Sequence, residues 1–245
     1  MRLDRSILDA LEDKPGADGS MMIDFIVPPG DEVETRPNVI FKLLAEKRVI
    51  HLGCTDHVSM IDAKIKAGAY LHRQLSYIAA ECIGVDINAE AAERARSHGV
   101  DNIVVSDITV PGIKEIEEKY WDCILIPEVI EHIPNPAAFL QAIDETYGEY
   151  FNQIMLTVPN IYGSFLHGWE SFRRENLNIE HCFWFTPYTI CKVLHSAGYD
   201  IDEVHLCAYE NPVNYLRSVE ERLKEYPLLQ STIIVTAHSR RKNRA

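Results

Sequence analysis

The stretch that decides the fold is residues 49–57, Val-Ile-His-Leu-Gly-Cys-Thr-Asp-His. Its first four residues are typical of a buried β-strand, and the glycine that follows allows a tight turn and a close approach of the backbone to a ligand. Thirty-three positions after Gly53 (86 − 53), the apolar run 82–85 ends on Asp86. A strand, a glycine turn, a helix and a strand closed by a carboxylate are typical of half of a nucleotide-binding α/β sheet. The pattern predicts a nucleoside-bearing cofactor whose ribose hydroxyls are bound by Asp86.

Composition limits the classes of partner. The chain has 245 residues, of which 47% are apolar and 25% charged, which is typical of a globular domain with one well-buried core. Its 24 Lys and Arg against 37 Asp and Glu give a formal charge of −13 (24 − 37). Such a field repels a phosphate backbone, so nucleic acid is a poor first candidate for the partner.

The sequence shows neither a targeting signal nor a CxxC pair of cysteines. The first residues lack a basic-then-apolar leader, and no apolar run approaches the length of a bilayer span. The six cysteines form no CxxC pair, which predicts reduced thiols that pack as small apolar groups. We therefore expect a cytoplasmic protein that does not associate with membranes.

From residue 48 onward, strand-like and helix-like segments alternate. The predicted strands are rich in Val, Ile and Leu and lie at 48–52, 81–86, 102–106, 121–126, 152–158, 201–208 and 231–237. The predicted helices lie near 60–79, 88–98, 112–119, 136–147, 187–197 and 213–225. Alternating βα units with nearly continuous apolar strands predict an α/β fold, in which a mostly parallel sheet carries helices on both faces. We expect an N-terminal cap or arm over 1–38 and one main domain over 39–245, with insertions near 58–72, 159–185 and 210–230.

The glycine turn fits one class of cofactor site better than two others. A dinucleotide fold requires GxGxxG, but residues 53–57 contain only Gly53, and the chain has no GxxxxGK[ST] phosphate loop. The segment resembles the first motif of class I S-adenosylmethionine-dependent methyltransferases, an apolar strand followed by Gly-Cys-Gly-x-Gly. The strand, Gly53 and Cys54 match that motif, whereas Thr55 and His57 stand at the later glycines.

Further motifs of the same family follow in order over roughly residues 48–208. They are Asp86 after the second strand, Ser106-Asp107-Ile108 after the third, Glu128-Val-Ile-Glu-His132 after the fourth and Thr157-Val-Pro-Asn160 after the fifth. The resemblance implies the Rossmann-like methyltransferase fold, with a seven-stranded sheet in which only the last strand, near 231–237, is antiparallel. It also implies S-adenosyl-L-methionine as cofactor. The cofactor contacts it implies are Gly53, Cys54, Asp86, Ile87, Asp107, Ile108 and Glu128.

The chain departs from the family in the spacing between the first two motifs, which is longer than usual. The additional residues, around 62–70, are expected to lengthen the first helix or to form a lid over the cofactor. His57 would then lie near the reacting methyl group.

A second group of residues predicts the chemistry of methyl transfer. An alcohol is a poor nucleophile until a base or a metal withdraws its proton. If residues 128–132 are helical, Glu128, Glu131 and His132 share one face at the end of the fourth strand, and His181 comes from the aromatic insertion over the same edge. Two carboxylates and two imidazoles are a suitable set for Mg²⁺ or Mn²⁺.

This set is similar to that of the small-RNA 3′-terminal 2′-O-methyltransferases, and quinone-biosynthesis O-methyltransferases share its ExxEH part. The alternative is a site without metal, in which Glu128 lines the cofactor pocket and His181 acts alone as general base. We take His181, His132 and His57 as the candidate catalytic residues.

The acceptor is the least determined element of the sequence. The variant Gly-Cys-x-Asp-His motif and the long first helix resemble bacterial methyltransferases of sugar, glycan or capsule-precursor pathways. This favours O-methylation of a small hydroxylated or nucleotide-linked molecule. An RNA-modifying enzyme and an inactive, cofactor-binding regulatory module remain as alternatives.

Overall fold

The computed structural model describes residues 1–3, 11, 24–164, 173, 178–209 and 217–241. The strands are β1 Arg48–Leu52, β2 Glu81–Asp86, β3 Ile103–Val105, β4 Trp121–Pro127, β5 Phe151–Pro159, β6 Tyr199–Cys207 and β7 Thr232–Ser239. The α-helices are α1 Arg36–Leu44, α2 Val58–Lys66, α3 Leu71–Ile78, α4 Ala89–Arg96, α5 Lys114–Glu117, α6 Pro136–Tyr147, α7 Pro187–Ser196 and α8 Arg217–Glu225. Single 3₁₀ turns lie at Ile130–His132 and Pro227–Leu229.

The strands form one seven-stranded sheet in the order β3-β2-β1-β4-β5-β7-β6. The pairs among β1 to β5 are parallel, whereas β7 runs antiparallel to both β5 and β6. This confirms the predicted α/β class and the antiparallel last strand. Because β1 lies between β2 and β4, the strand order reverses there, and a ligand crevice is expected at the carboxyl ends of these strands.

Apolar side chains cover both faces of the sheet. One cluster contains Ile50, Trp121 and Ile124 and packs against α6 and α7, and a second contains Val49 and Leu125 and packs against α1 and α3. Neighbouring residues of β1 thus contribute to opposite cores, which explains why apolar residues follow one another in this strand.

Local capping chemistry accounts for the starts of several helices. Asn88 accepts a hydrogen bond from the Ala91 backbone N–H at the start of α4, as the sequence predicts. Thr186 and Thr189 form a reciprocal cap at the start of α7, and the helix is followed by Gly198 at φ +97°. Predicted and observed boundaries therefore agree within a few residues for these elements.

The predicted helix over 60–79 is wrong. The segment forms two helices, α2 and α3, because the chain turns at Gly68, whose φ is +68°. A side-chain-bearing residue rarely adopts that conformation, so the glycine ends α2. The predicted insertion near 58–72 thus consists of α2, the turn and the start of α3.

The N-terminal residues pair with the edge of the sheet. Arg2 forms an antiparallel bridge with His205 of β6, and the Leu3 backbone N–H donates to the Val204 carbonyl at 2.7 Å. The expected boundary at residue 38 falls inside α1, because Thr35 caps that helix and Pro37 lies in its first turn.

Candidate functional site

Gly53 begins the turn at the carboxyl end of β1. Its φ is +65°, and a Cβ atom added there would lie 2.5 Å from Cγ2 of Val129. Only glycine satisfies both the left-handed backbone and the contact with the β4 loop. The turn therefore brings bare backbone to the switch point of the sheet. Cys54, the next predicted cofactor residue, is buried, and its thiol faces Gly84 of β2.

Asp86 lies at the end of β2, where the resemblance predicts the ribose-binding acid. Its side chain is buried and accepts three hydrogen bonds. Thr55 donates its backbone N–H and its hydroxyl to Oδ2, at 2.9 and 2.8 Å, and the Asn88 N–H donates to Oδ1 at 2.9 Å. The carboxylate is thus held by both loops that border the crevice.

The remaining predicted cofactor residues after β2 and β3 differ in exposure. Ile87 is 77% exposed directly beyond Asp86. Asp107 is exposed and accepts from the backbone N–H and the hydroxyl of Thr109, at 2.8 and 2.7 Å. The side chain of Ile108 is buried in the main core, so only its backbone can face a ligand.

Glu128 does not belong to a helix, contrary to the prediction. Its φ is +53°, and only Ile130–His132 form a short 3₁₀ turn. Pro134 explains why the turn ends at Ile133, since the residue before a proline disfavours the helical conformation. The three acidic and basic side chains of this segment therefore do not form an i, i+3, i+4 face.

The left-handed conformation directs Glu128 toward β5 and α1. Its Oε1 accepts from the Thr157 hydroxyl at 2.8 Å and lies 3.6 Å from the Arg36 guanidinium. Thr157 and Arg36 thus hold Oε1 of Glu128, and Glu128 is not among the described residues whose side-chain atoms converge on a possible cation.

The other three predicted ligands do converge. One side-chain N or O atom each of Glu131, His132 and His181 lies within 4.8 Å of the other two. Glu131 is 1% exposed, and among the described residues neither of its carboxylate oxygens has a hydrogen-bond partner. The buried Nδ1 of His181 also lacks a partner in this part of the chain. Orphaned buried acceptors of this kind are what a cation or a polar ligand would satisfy.

The surroundings shift the pKa values of two members of this cluster. Burial, and to a lesser degree the charge of Glu128, raise the pKa of Glu131 to about 8. Burial and the neighbouring His132 lower the pKa of His181, which keeps its imidazole neutral near pH 7. A neutral imidazole can accept a proton or bind a metal.

The loop that carries His181 is fixed to the 3₁₀ turn by its backbone. The N–H groups of Cys182 and Phe183 donate to the Glu131 carbonyl at 2.7 and 3.2 Å. Trp184 contacts the His181 ring edge to face, with centroids 5.7 Å apart. The same loop meets the cofactor turn, because Nε2 of His57 lies 3.8 Å from Glu180. His167, Trp169 and Phe172, which belong to the insertion predicted near 159–185, lie outside the described residues.

Arg36 is a candidate that the sequence analysis missed. Its side chain is 12% exposed, and its buried Nε has no hydrogen-bond partner within the described ranges of the chain. The guanidinium stacks over Tyr209 at 4.4 Å and approaches Glu128 from α1. The sequence shows only that Thr-Arg-Pro can begin a helix. No neighbouring residue indicates that Arg36 reaches the end of β4.

Comparisons with known proteins agree with the fold described above. A family described as a methyltransferase domain matches residues 32–204. A ubiquinone biosynthesis O-methyltransferase of Xanthomonas oryzae pv. oryzae (strain PXO99A) is 22% identical over 175 residues, which is 68% of either chain. A homologue of the same name from Burkholderia ambifaria (strain MC40-6) is 28% identical over 114 residues, 43% of this chain and 49% of the relative.

Solved structures show the same fold at low identity. The small RNA methyltransferase HEN1 superposes with a TM-score of 0.54 at 14% identity, covering 84% of this chain and 25% of that protein. Magnesium protoporphyrin IX methyltransferase from Synechocystis PCC 6803, solved with bound SAH, has a TM-score of 0.51 at 13% identity and covers 83% of this chain and 81% of its own.

Proposed function

The chain belongs to the methyltransferase-domain family, as a class I S-adenosylmethionine-dependent enzyme, and on this premise we propose that it methylates a hydroxyl group of a small molecule with the aid of a divalent cation. The observation that carries the proposal is the cluster of Glu131, His132 and His181, in which the buried Glu131 oxygens have no hydrogen-bond partner among the residues that the structure describes.

Three residues fit the cofactor. Gly53 exposes backbone at the end of β1, and Asp86 offers acceptors for the ribose. The buried Nε of Arg36 suits the carboxylate of the amino-acid end, since guanidinium and carboxylate pair with high geometric specificity. Bound S-adenosylmethionine supplies a methyl group on a positively charged sulfur, so the chain's main task is to align the acceptor with it. The exposed Ile87 and the Asp107 carboxylate are the proposed contacts of the adenine.

Glu131, His132 and His181 are the proposed cation ligands. One carboxylate and two imidazoles form a mixed oxygen and nitrogen set that suits Mn²⁺ and, less well, Mg²⁺. A cation held there would neutralise the buried carboxylate and lower the pKa of an acceptor hydroxyl. Among the described residues, Glu128 does not join this group as a fourth ligand. The proposed set therefore has three ligands, whereas the sequence predicts four.

If no cation is bound there, His181 is the proposed general base, with His132 beside it, because an imidazole that binds a cation has no lone pair left to accept a proton. Its lowered pKa leaves the ring neutral at pH 7, and its buried Nδ1 has no hydrogen-bond partner among the described residues. His57 approaches the same loop through Glu180, and we propose that it helps to close the cleft rather than exchanging protons.

We propose a small hydroxylated acceptor, of the sugar, glycan-precursor or nucleotide-linked type. The charge of −13 opposes a nucleic-acid substrate. The second candidate, an RNA 2′-O-methyltransferase, is favoured only by the cluster and by the structural likeness to HEN1. The third, an inactive binding module, would bind cofactor without turnover.

The test is transfer of a labelled methyl group from S-adenosylmethionine to panels of nucleotide sugars, simple vicinal diols and short single-stranded RNA. Each panel is assayed with Mn²⁺, with Mg²⁺ and with a chelator. We expect methylation of a small hydroxylated compound that the chelator suppresses. Methylation of RNA alone would contradict the proposed small-molecule acceptor. Transfer that the chelator does not suppress would contradict the proposed role of the cation.

A further inference from the structure

The carboxylate of Asp86 is already engaged by the residue that replaces a motif glycine. We infer that Asp86 holds only one of the two ribose hydroxyls of the cofactor, because Thr55 saturates the other carboxylate oxygen. The inference rests on the proposed function, since it concerns the cofactor site of the methyltransferase. It makes Thr55 a residue that sets cofactor affinity and ribose specificity.

A count of acceptor sites leads to this conclusion. A carboxylate has about four lone-pair sites, two on each oxygen. Oδ2 accepts from the backbone N–H of Thr55 at 2.9 Å and from its hydroxyl at 2.8 Å, which occupies both of its sites. Oδ1 accepts from the Asn88 N–H at 2.9 Å, which leaves one site. One further donor can therefore be accommodated, whereas a ribose presents two.

The Thr55 hydroxyl is held in place by its surroundings. Asp86 is 8% exposed, so water cannot easily replace the bond. The loop is also anchored one residue earlier, where the buried Tyr70 hydroxyl donates to the Cys54 carbonyl at 3.1 Å. Rotating the hydroxyl away would leave a buried carboxylate oxygen with an unused site, which is unfavourable. A glycine at position 55 would provide only the backbone donor.

The experiment counts the ribose hydroxyls that contribute to binding. Calorimetry measures the affinity of the full chain for S-adenosylhomocysteine and for its 2′-deoxy and 3′-deoxy analogues. We expect one analogue to bind about tenfold more weakly, the loss of one hydrogen bond to a carboxylate, and the other to bind within about threefold of the parent. About tenfold losses with both analogues, or with neither, would overturn the inference.

Two variants test the role of Thr55 itself. Thr55→Val removes the hydroxyl but keeps the backbone donor and the shape of the side chain. We expect it to bind S-adenosylhomocysteine up to about tenfold more tightly and to lose about tenfold with each deoxy analogue. Thr55→Ser keeps the donor and should reproduce the wild-type pattern. A Thr55→Val protein that unfolds at the wild-type temperature yet retains the wild-type pattern would overturn the inference.

The binding of S-adenosylhomocysteine distinguishes failure of the inference from failure of the proposed function. If S-adenosylhomocysteine itself does not bind, the methyltransferase assignment of the site is overturned together with the inference. If it binds and both ribose hydroxyls contribute equally in the wild type, only the inference is overturned.

Discussion

The imidazole rings of His132 and His181 meet edge to face, with their centroids 4.7 Å apart, although 49 positions separate them in the chain (181 − 132). The backbone N–H groups after His181 donate to the carbonyl of Glu131 and fix this approach.

Replacement of His181 by alanine should remove cation binding and turnover together. Titration of Mn²⁺ alone by calorimetry should show affinity reduced about tenfold or more, and the rate of methyl transfer should fall about a hundredfold or more. The affinity for S-adenosylhomocysteine should stay within about threefold, because the ring lies outside the ribose site. The control is His98→Ala. His98 lies just after α4, and its imidazole pairs with Asp62. Unchanged Mn²⁺ binding in His181→Ala would contradict the ligand assignment.

Asp86→Asn should weaken binding of S-adenosylhomocysteine by about tenfold, since a bond to an ionised acceptor is replaced by one to a neutral amide. Asp101→Asn, an exposed acid in the loop before β3, is the matched control and should leave the affinity unchanged. An unaltered dissociation constant for Asp86→Asn would remove this residue from ribose recognition.

Arg36→Met should weaken binding only of ligands that carry the amino-acid end of the cofactor. We expect about a tenfold loss for S-adenosylhomocysteine and a change below about twofold for 5′-methylthioadenosine, which lacks the carboxylate. The comparison is made by calorimetry on the same preparation. Equal losses for both ligands would mean that Arg36 acts through Glu128 or through the packing of α1.

Gly53→Ala should lower the free energy of unfolding by about 2 to 4 kcal/mol, because the left-handed backbone and the contact with Val129 both oppose a side chain. Gly99→Ala is the control, since Gly99 has φ +77° but nothing within 4 Å of an added Cβ. Gly99→Ala should lower the free energy of unfolding by only about 1 kcal/mol, because only the left-handed backbone opposes the side chain there. In a Val129→Ala background, the excess cost at Gly53 should shrink. Urea unfolding of the wild type, Gly53→Ala, Val129→Ala and the double variant measures this, with Gly99→Ala alongside.

Stability should fall on acidification because two buried histidines are held neutral. His51 Nδ1 and His72 Nδ1 share a hydrogen bond of 3.2 Å beneath β1. Burial lowers the pKa of His72 to about 4 and places the pKa of His51 well below 6.5. For each group the unfolded chain binds the proton more readily, so stability is complete above about pH 6.5 and declines as the pH falls toward 4.

The expected slope is about 1.4 kcal/mol per pH unit for each histidine within that window. Urea unfolding of the wild type and of His72→Gln between pH 7.5 and 5 measures it. The variant should lose less stability on acidification, whereas parallel curves would show that the pair does not govern the acid response.

Much of the fold was predictable because its signals are local. The apolar run of β1, the glycine after it and the acid that closes β2 all act through neighbouring residues, and the observed strands lie where the sequence predicts them. The error at 60–79 has a local cause as well: Gly68 adopts a positive φ, which the apolar pattern on its two sides does not indicate.

The site was predictable only in part. Residue types and the resemblance predicted Glu128, Glu131, His132 and His181 as one set, and side-chain atoms of the last three do converge in the described residues. A non-glycine residue at φ +53° is rare, and at Glu128 it turns the carboxylate from the cluster toward Thr157 and Arg36. Sequence spacing assumes regular backbone, so it could not anticipate this.

By itself, the sequence determined the mostly parallel sheet and the acid at the end of β2, because hydrophobic periodicity and turn chemistry depend on consecutive residues. The tertiary structure decided which side chains share the site. Arg36 reaches Glu128 across 92 positions (128 − 36), and Thr55 occupies Asp86 across 31 (86 − 55). Such contacts depend on how α1 and the two loops pack over the sheet edge, and packing is a property of the whole chain rather than of any segment.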